Sequence, residues 1–318
     1  MLASMTKHAF LFPGQGSQSP GMGKALAENF AIAKQVFAEV DDTLNQHLSK
    51  VMFEGPESDL NLTANTQPAI MACSIAAWRV LQSEAGVTVT DNTFVAGHSL
   101  GEYAALVAAE SLTLAQAAGL LRIRGDAMQQ AVPAGLGAMA AIIGLSIEQV
   151  EKICQEIHTS NQVCEVANDN NSQQIVISGH AIAIEQAMEA MKAAGAKRAV
   201  PLTVSAPFHC SLMKPAAERM AEALHDTSLH DAACPVITNV TAGPVELADA
   251  LRDGLIQQVT GRVRWRESVE WMAANGVTTA TEIGHGNVLA GLIKRIAPEM
   301  TVTNVNKPED IKLFEKAA

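Results

Sequence analysis

The sequence predicts an α/β protein in which a small subdomain of the ferredoxin-like type is inserted into a larger body with a parallel sheet. Short apolar strands alternate with helical segments along the first part of the chain, as in parallel α/β folds. From residue 135 to residue 204 the order changes to β-α-β-β-α-β, which is the ferredoxin-like order. We therefore expect the body to comprise residues 5–134 and 205–312, and the insert to comprise residues 135–204.

The predicted body begins with an apolar strand at Ala9–Phe12, which Pro13 ends. Two helical stretches follow, at Gly23–Leu48 and Pro68–Glu84, and the second has apolar residues at nearly helical spacing. A second strand, Thr93–Ala96, leads into a turn that contains glycine. Strands separated by helices in this way are typical of a parallel sheet.

The predicted insert contains four strands and two helices. The strands are expected at Ala138–Ile143, Val163–Val166, Gln174–Ser178 and Arg198–Val204. The helices are expected at Ser146–His158 and Ala181–Ala194.

Composition and charge exclude several classes of protein. The 318 residues are 48% hydrophobic but only 4% aromatic, which favours close packing of helices on a sheet. The formal net charge of −11 argues against nucleic acid or an anionic membrane as a general partner. The N-terminal apolar run is too short for a signal peptide, and no stretch approaches the ~18 apolar residues of a membrane span.

The cysteine and histidine patterns predict a reduced, metal-free protein. The five cysteines are odd in number and include no C-x-x-C pair, which indicates thiols in a cytoplasmic protein rather than a disulfide framework. The nine histidines show neither H-x-H nor H-E-x-x-H spacing, so we expect no metal site.

The strongest catalytic motif is Gly97-His98-Ser99-Leu100-Gly101, which matches the G-x-S-x-G nucleophile elbow. A predicted strand precedes it, and Glu102–Ala109 is a good helix former. A strand–turn–helix setting exposes the serine and aims a helix N-terminus at developing negative charge. Such a string can also arise by chance in a chain rich in glycine and serine, but the setting favours Ser99 as a nucleophile.

An activated serine needs a base, and His209 is the best candidate among the histidines. It follows the rigid segment Ser205–Phe208 at the junction between insert and body, where clefts form. An ordinary buried histidine is an equal alternative on position alone. His98 lies beside Ser99, but we expect its side chain to point away from the turn. No acidic residue stands out as a third member of a triad.

Arg124 is the next most informative residue. In the helix that begins near Thr113, it projects onto the inward face between Leu120 and Leu121. A buried guanidinium is costly unless it meets an anion. The anion is either a protein carboxylate in a buried salt bridge or a substrate carboxylate held by two hydrogen bonds.

The glycine-rich turn Gly14–Gln18 does not match a nucleotide-binding loop. Ser19 stands where G-x-G-x-x-G requires its third glycine, and no Walker lysine follows. In α/β serine enzymes the second oxyanion-hole amide comes from a loop after a neighbouring strand. We expect Gln15 to supply that amide, paired with the backbone N–H of Leu100.

Together these motifs resemble the malonyl-CoA:acyl carrier protein transacylases of bacterial fatty-acid synthesis, over nearly the whole chain. The strings Gly14-Gln15-Gly16-Ser17-Gln18 and Gly97-His98-Ser99-Leu100-Gly101-Glu102 carry most of the resemblance. It implies an α/β-hydrolase-like body with a ferredoxin-like insert. It also implies transfer of a malonyl group from coenzyme A to the phosphopantetheine thiol of a carrier protein, through a malonyl-serine.

The resemblance assigns roles to further residues. Ser99 is the implied nucleophile, His209 its base and Arg124 the ligand of the malonyl carboxylate. The backbone carbonyl of Gln258 is implied to orient His209 in place of an acid. Phe208 directly before the histidine, with Met128 and Asn168, is expected to line the substrate pocket.

The resemblance also implies partners. We expect malonyl-CoA as a substrate, no bound cofactor, an acyl carrier protein as acceptor, and a monomer. Because carrier proteins are acidic, basic residues are candidates for docking: Lys197, Arg198, Arg262, Arg264 and Arg266. Two other functions stay open. One is a serine esterase or thioesterase that uses water as acceptor; the other is a non-enzymatic subunit that binds the carrier protein.

Overall fold

The computed structural model describes residues 7–90 and 92–314 and contains two β-sheets with helices packed around them. In chain order the strands are β1 (Lys7–Phe12), β2 (Thr93–Gly97), β3 (Gly137–Ile143), β4 (Cys164–Asn171), β5 (Gln174–His180), β6 (Arg198–Pro201), β7 (Val236–Ile237), β8 (Pro244–Val245), β9 (Val277–Ile283) and β10 (Thr301–Val305).

The helices within the described residues are α1 (Lys24–Asn29), α2 (Ala31–Leu44), α3 (Leu48–Glu54), α4 (Glu57–Leu60), α5 (Thr63–Ala85), α6 (Gly101–Ala108), α7 (Leu114–Gln130), α8 (Ile147–Ile157), α9 (Ala181–Ala193), α10 (Lys214–His225), α11 (Ala248–Gln258), α12 (Trp265–Ala274), α13 (Val288–Ile296) and α14 (Pro308–Ile311). A short 3₁₀ turn, Ser211–Met213, precedes α10.

The larger sheet forms the body, with the strand order β10–β9–β1–β2–β7–β8. Strands β10, β9, β1, β2 and β7 are parallel to their neighbours, and β8 is antiparallel to β7. Central strand β1 is buried on both faces because its apolar residues alternate between two cores. Phe10 and Phe12 pack into the core with α5, whereas Ala9 and Leu11 pack into the core with α12 and α13.

The smaller sheet is antiparallel, with the order β4–β5–β3–β6. One face is covered by α8 and α9, whose buried residues share a core with alternate residues of β3 and β5. The intervening residues of those strands, such as Met139, Ala141 and Val176, line a cavity against the body. The period of two along each strand therefore divides the sheet into a core face and a cavity face.

The segment between α11 and α12 joins the smaller sheet to the body. The Asp169 N–H donates to the Val263 carbonyl at 2.9 Å, and the Val263 N–H donates to the Ala167 carbonyl at 2.8 Å. In addition, the Arg266 guanidinium contacts the buried Asp169 carboxylate at 2.8 Å. Strand β4 is thus bound to the body as well as to its own sheet.

The predicted fold class is confirmed, and the order β-α-β-β-α-β is observed from β3 to β6. One helix prediction is wrong: the stretch Gly23–Leu48 forms α1, α2 and the start of α3. It is interrupted because Phe30 is extended (φ −130°, ψ 120°) and Asn45 is left-handed (φ 47°). Helix α5 begins five residues before the predicted Pro68, and β6 ends at Pro201 rather than Val204. The exact domain limits at 134/135 and 204/205 stay a prediction.

Candidate active site

A cavity of about 580 Å³ lies between the body and the cavity face of the smaller sheet. The turns that follow β1 and β2 form its floor, with Gly14, Gln15, His98 and Ser99 in its lining. Ligands of parallel α/β folds bind at this carboxyl edge of the sheet. The cavity is therefore a candidate ligand-binding site.

Ser99 lies in a tight turn between β2 and α6, in the left-handed region at φ 52°. The turn is closed by glycines. A Cβ on Gly97 would lie 2.0 Å from the backbone of Gly101, and a Cβ on Gly101 would lie 2.2 Å from the Phe12 carbonyl oxygen. A larger residue at either position would force strand and helix apart, so the spacing of the motif follows from this close approach.

The structure brings His209 to Ser99: the Ser99 hydroxyl lies 2.7 Å from His209 Nε2. His209 Nδ1 faces two backbone carbonyls, those of Gln258 at 2.9 Å and Gly261 at 3.1 Å. Carbonyl oxygens only accept hydrogen bonds, so Nδ1 carries the hydrogen and Nε2 offers a lone pair to the hydroxyl. No carboxylate of the described residues bonds the imidazole, which matches the missing acid in the sequence.

Burial and the nearby positive charge of Arg124 lower the pKa of His209 to about 3, while the two carbonyls act in the opposite direction. Above that pKa the ring is neutral. A neutral imidazole at pH 7 can accept a proton from a hydroxyl.

Arg124 is 1% exposed and lies within reach of the serine. Its guanidinium donates to Gln67 Oε1 at 2.7 Å, to Gln258 Oε1 at 2.9 Å and to Ser99 Oγ at 3.1 Å. No ion pair joins it to a carboxylate of the part of the chain that the structure describes, so the salt-bridge alternative is wrong. Burial lowers the pKa of Arg124. A buried cation with neutral partners is able to bind an anion that enters the cavity.

The backbone amides of Gln15 and Leu100 are free to bind a ligand. Neither N–H donates to an acceptor within residues 7–90 and 92–314. The two turns that carry them touch closely, since a Cβ on Gly14 would lie 2.5 Å from the His98 carbonyl oxygen. Two unpaired amides beside a nucleophile are the usual composition of an oxyanion hole.

Phe208, Met128 and Asn168 all line the cavity, as the resemblance implies for a substrate pocket. Asn168 Oδ1 is buried and has no hydrogen-bond partner among the described residues. His98 lines the same cavity, so the prediction that it turns away is wrong in part. Its Nε2 donates to Asn170 Oδ1 at 2.8 Å and not to the serine.

The five basic residues predicted for docking divide into two groups. Arg262, Arg264 and Arg266 are paired with the protein's own carboxylates, those of Glu151, Glu267, Asp169 and Glu270. Lys197 and Arg198 are exposed and have no ion pair within the described residues. Arg295, which no sequence pattern pointed to, is an exposed residue that lines the cavity mouth. Its place in the last turn of α13 suggests only a favourable interaction with the helix dipole.

Gln67, which contacts Arg124, was not predicted either, because its position in the buried N-terminal part of α5 gives no local signal. No group of three or more potential metal ligands occurs in the described parts of the chain. In the same residues no helix is long and apolar enough to cross a membrane.

Comparison with known proteins places this site in a family. Residues 9–297 match the acyl transferase domain. The chain is 47% identical over 309 residues to "Malonyl CoA-acyl carrier protein transacylase" of Bacillus subtilis (strain 168), covering 97% of this chain and 96% of that one.

Comparison with solved structures leads to the same family. The structure superposes with a TM-score of 0.94 on an acyl-carrier-protein-S-malonyltransferase from Bartonella henselae, at 52% identity and covering 96% of this chain and 98% of that one. It superposes with a TM-score of 0.93, at 43% identity and covering 98% and 100%, on a malonyl-transacylase in complex with its type II PKS acyl-carrier protein. The chain therefore belongs to the acyl transferase family, within its branch of malonyl-CoA–acyl carrier protein transacylases.

Proposed function

We propose that this protein transfers the malonyl group of malonyl-CoA to the phosphopantetheine thiol of an acyl carrier protein, through an ester on Ser99. The observation that carries the proposal is the environment of Arg124. Its charge is buried and unpaired with any described carboxylate, and Nη2 lies 3.1 Å from Ser99 Oγ. A malonyl group esterified to that oxygen carries its free carboxylate two bonds from the ester carbon, within reach of the guanidinium.

In the first half-reaction Ser99 Oγ attacks the thioester carbon of malonyl-CoA while His209 Nε2 takes the hydroxyl proton. The oxyanion that forms is bound by the N–H groups of Leu100 and Gln15. When the C–S bond breaks, His209 returns the proton to the sulfur, and coenzyme A leaves as a thiol.

In the second half-reaction the carrier's phosphopantetheine thiol replaces coenzyme A. His209 takes the thiol proton, the sulfur attacks the ester carbon, and the proton returns to Ser99 Oγ as the C–O bond breaks. The protein is regenerated, and the proposed reaction needs no further group.

The place of Arg124 also explains why a dicarboxylic half-thioester is the proposed substrate. An acyl group that ends in a methyl would leave the guanidinium with its neutral partners alone and would gain no charge-assisted bond. Phe208 and Met128 narrow the cavity next to it. Arg124 therefore matches the charge of the malonyl group, and the narrow cavity matches its small size.

The carrier's acidic surface is proposed to meet Lys197, Arg198 and Arg295. The first two are exposed and unpaired within the described residues, and Arg295 lies at the cavity mouth. Every group of the proposed mechanism comes from this one chain, which supports a monomer. Five unpaired cysteines support a cytoplasmic location.

The test is intact mass spectrometry of the protein after mixing with malonyl-CoA, beside Ser99→Ala. We expect a malonyl adduct on the native protein alone, and its discharge when a phosphopantetheinylated carrier protein is added. Discharge by water at the same rate without the carrier would instead identify a thioesterase. Absence of any adduct or turnover would identify a binding subunit.

A further inference from the structure

Asn239 is a buried residue beside the nucleophile that the proposed mechanism does not use. It is 0% exposed and lies two residues after β7. Its side chain contacts the main chain on both sides of His98: Nδ2 donates to the Gly97 carbonyl at 2.7 Å, and the Ser99 N–H donates to Oδ1 at 2.7 Å.

These two hydrogen bonds have the same pattern as those that a neighbouring parallel strand would make. Strand β7 pairs with β2 only at Val95–Val236 and Ala96–Ile237. The side-chain amide of Asn239 then bonds the C=O before His98 and the N–H after it, as a neighbouring peptide would. The sheet is thereby extended by one side chain, up to the residue at which the chain turns left-handed.

Asn239 is itself fixed from two sides. Its backbone N–H donates to Glu102 Oε2 at 2.8 Å, and its carbonyl accepts from the Arg264 N–H at 3.0 Å. The Glu102 carboxylate, in α6, also accepts from Gln258 Nε2 at 3.2 Å, and that same nitrogen donates to the Ser99 carbonyl at 3.0 Å. Both peptide groups of Ser99 are therefore held by side-chain amides.

This arrangement decides which amide of the turn is left for the substrate. The Ser99 N–H is bound by Asn239, and the Gly101 N–H donates to the His98 carbonyl at 2.9 Å. The Leu100 N–H between them has no acceptor among the described residues. If Asn239 were lost, the peptide before Ser99 could rotate, and the serine and the Leu100 amide would move together.

We propose that Asn239 is a positioning residue for the acyl transfer, which holds Ser99 Oγ and the Leu100 N–H in the geometry that the reaction needs. Asn239 does not touch the reacting atoms. The inference rests on the proposed function for its natural substrate, but its effect on the nucleophile can be measured without that substrate.

The first experiment compares Asn239→Ala with Asn171→Ala, a variant that removes an equally buried asparagine from the end of β4, outside the cavity lining. The rate of malonyl-enzyme formation is measured against malonyl-CoA concentration by quenched-flow mass spectrometry, together with Tm. Small displacements of reacting groups cost about 10²-fold in rate. We expect a loss of that size for Asn239→Ala at saturation, with the half-saturating concentration and the loss in Tm close to those of Asn171→Ala. Equal acylation rates in the two variants would overturn the proposal.

A fluorophosphonate, which phosphorylates an activated serine directly, separates this proposal from the proposed function. The same loss of labelling rate is expected in Asn239→Ala whatever the natural acyl donor is. If the native protein is labelled but takes no malonyl group, the proposed function fails while this inference stands. If both variants are labelled at the native rate, the inference fails.

Asn239→Asp provides a second test that does not depend on the folding of Asn239→Ala. A protonated aspartic acid has the shape of asparagine and can donate to the Gly97 carbonyl, whereas the carboxylate cannot. The groups around it that carry charge or can titrate are Glu102, Arg124, His98, His209 and the Arg264 guanidinium, which binds the Val240 carbonyl. Burial raises the pKa of Glu102 to about 7, whereas it lowers the pKa of His98 and of His209, so the neutral form of both imidazoles is favoured over the range of the test. We expect labelling of Asn239→Asp to rise relative to the native protein as the pH is lowered from 8 to 5. A constant ratio over this range would overturn the proposal.

Discussion

Two arginines, Arg124 and Arg266, are held in opposite ways. Arg266 meets carboxylates: its Nη2 lies 2.8 Å from Asp169 and its Nη1 lies 2.9 Å from Glu270. Arg124, which is more deeply buried, is oriented by the neutral oxygens of Gln67, Gln258 and Ser99. A cation whose charge is neutralised within the protein ties elements together, as Arg266 ties α12 to β4. A buried cation that has only neutral partners is not neutralised within the protein, so it can form an ion pair with an anionic ligand.

The largest effect predicted from this comparison concerns Arg124→Ala. Truncating one partner of a buried charge pair costs about 2–5 kcal/mol, so malonyl transfer should fall by about 10³-fold. Transfer of an acetyl group, which has no carboxylate, should fall by less than about tenfold. Both rates are measured with the corresponding CoA thioesters by intact mass. An equal loss for the two acyl groups would show that Arg124 does not bind the carboxylate.

Arg266→Leu should affect stability rather than the choice of acyl group. It leaves the Asp169 carboxylate buried at 0% exposure without its main cation, which should lower the free energy of unfolding by about 3 kcal/mol. Urea unfolding measures the loss. Arg219→Leu, which breaks an exposed pair with Glu222, is the control and should cost less than about 1 kcal/mol. Adding Asp169→Leu to Arg266→Leu should restore part of the loss, and a further loss would contradict the pairing.

The positive charge of Arg124 should also affect how the acylation rate depends on pH. Burial and Arg124 together lower the pKa of His209 to about 3, and in its proposed role as base His209 is active when unprotonated. The acylation rate of the native protein should therefore be flat from pH 8 to pH 5, with the loss beginning only as the pH falls towards 3. In Arg124→Ala, assayed with acetyl-CoA, the pKa of His209 should rise and the acid loss should begin at a higher pH. Identical acid limbs would show that the charge of Arg124 does not reach the base.

The smallest predicted effect concerns binding of the carrier protein, and it compares exposed cations that are unpaired with an exposed cation that is paired. The double variant Lys197→Glu, Arg198→Glu should raise the KM for the carrier protein about tenfold at low salt and less at high salt. The KM for malonyl-CoA should stay unchanged. Arg219→Glu, on α10 and outside the cavity lining, is the control. An unchanged KM for the carrier in the double variant would place docking elsewhere.

The sequence was most informative where the signal is local. The glycines around Ser99 and the inward face of the helix that carries Arg124 follow from spacing alone. The place of His209 at a junction made it a candidate base but left an ordinary buried histidine as an equal alternative. Arg264 and Arg266 were predicted for docking although a local signal opposed it: acidic residues stand three and four positions later, Glu267 and Glu270, at the spacing of helical ion pairs.

Other parts of the site depend on contacts that no local pattern contains. Asn239 lies 140 positions from Ser99, and Gln67 lies 57 positions from Arg124. A single polar residue in an apolar surrounding does not reveal its partner before the chain is folded. The role of the Gln258 carbonyl came only from resemblance, since every residue except proline presents the same main-chain groups.

The orientation of His209 by the main-chain carbonyls of Gln258 and Gly261 has a genetic consequence. A codon change can delete the carboxylate of a Ser-His-Asp triad, but none can delete a backbone oxygen. A library of point mutants should therefore contain inactive variants at codons 99 and 209, whereas codon 258 should report on the amide side chain that contacts Arg124 and Ser99. The third member of this proposed catalytic set therefore depends on the path of the main chain and not on the identity of any one side chain.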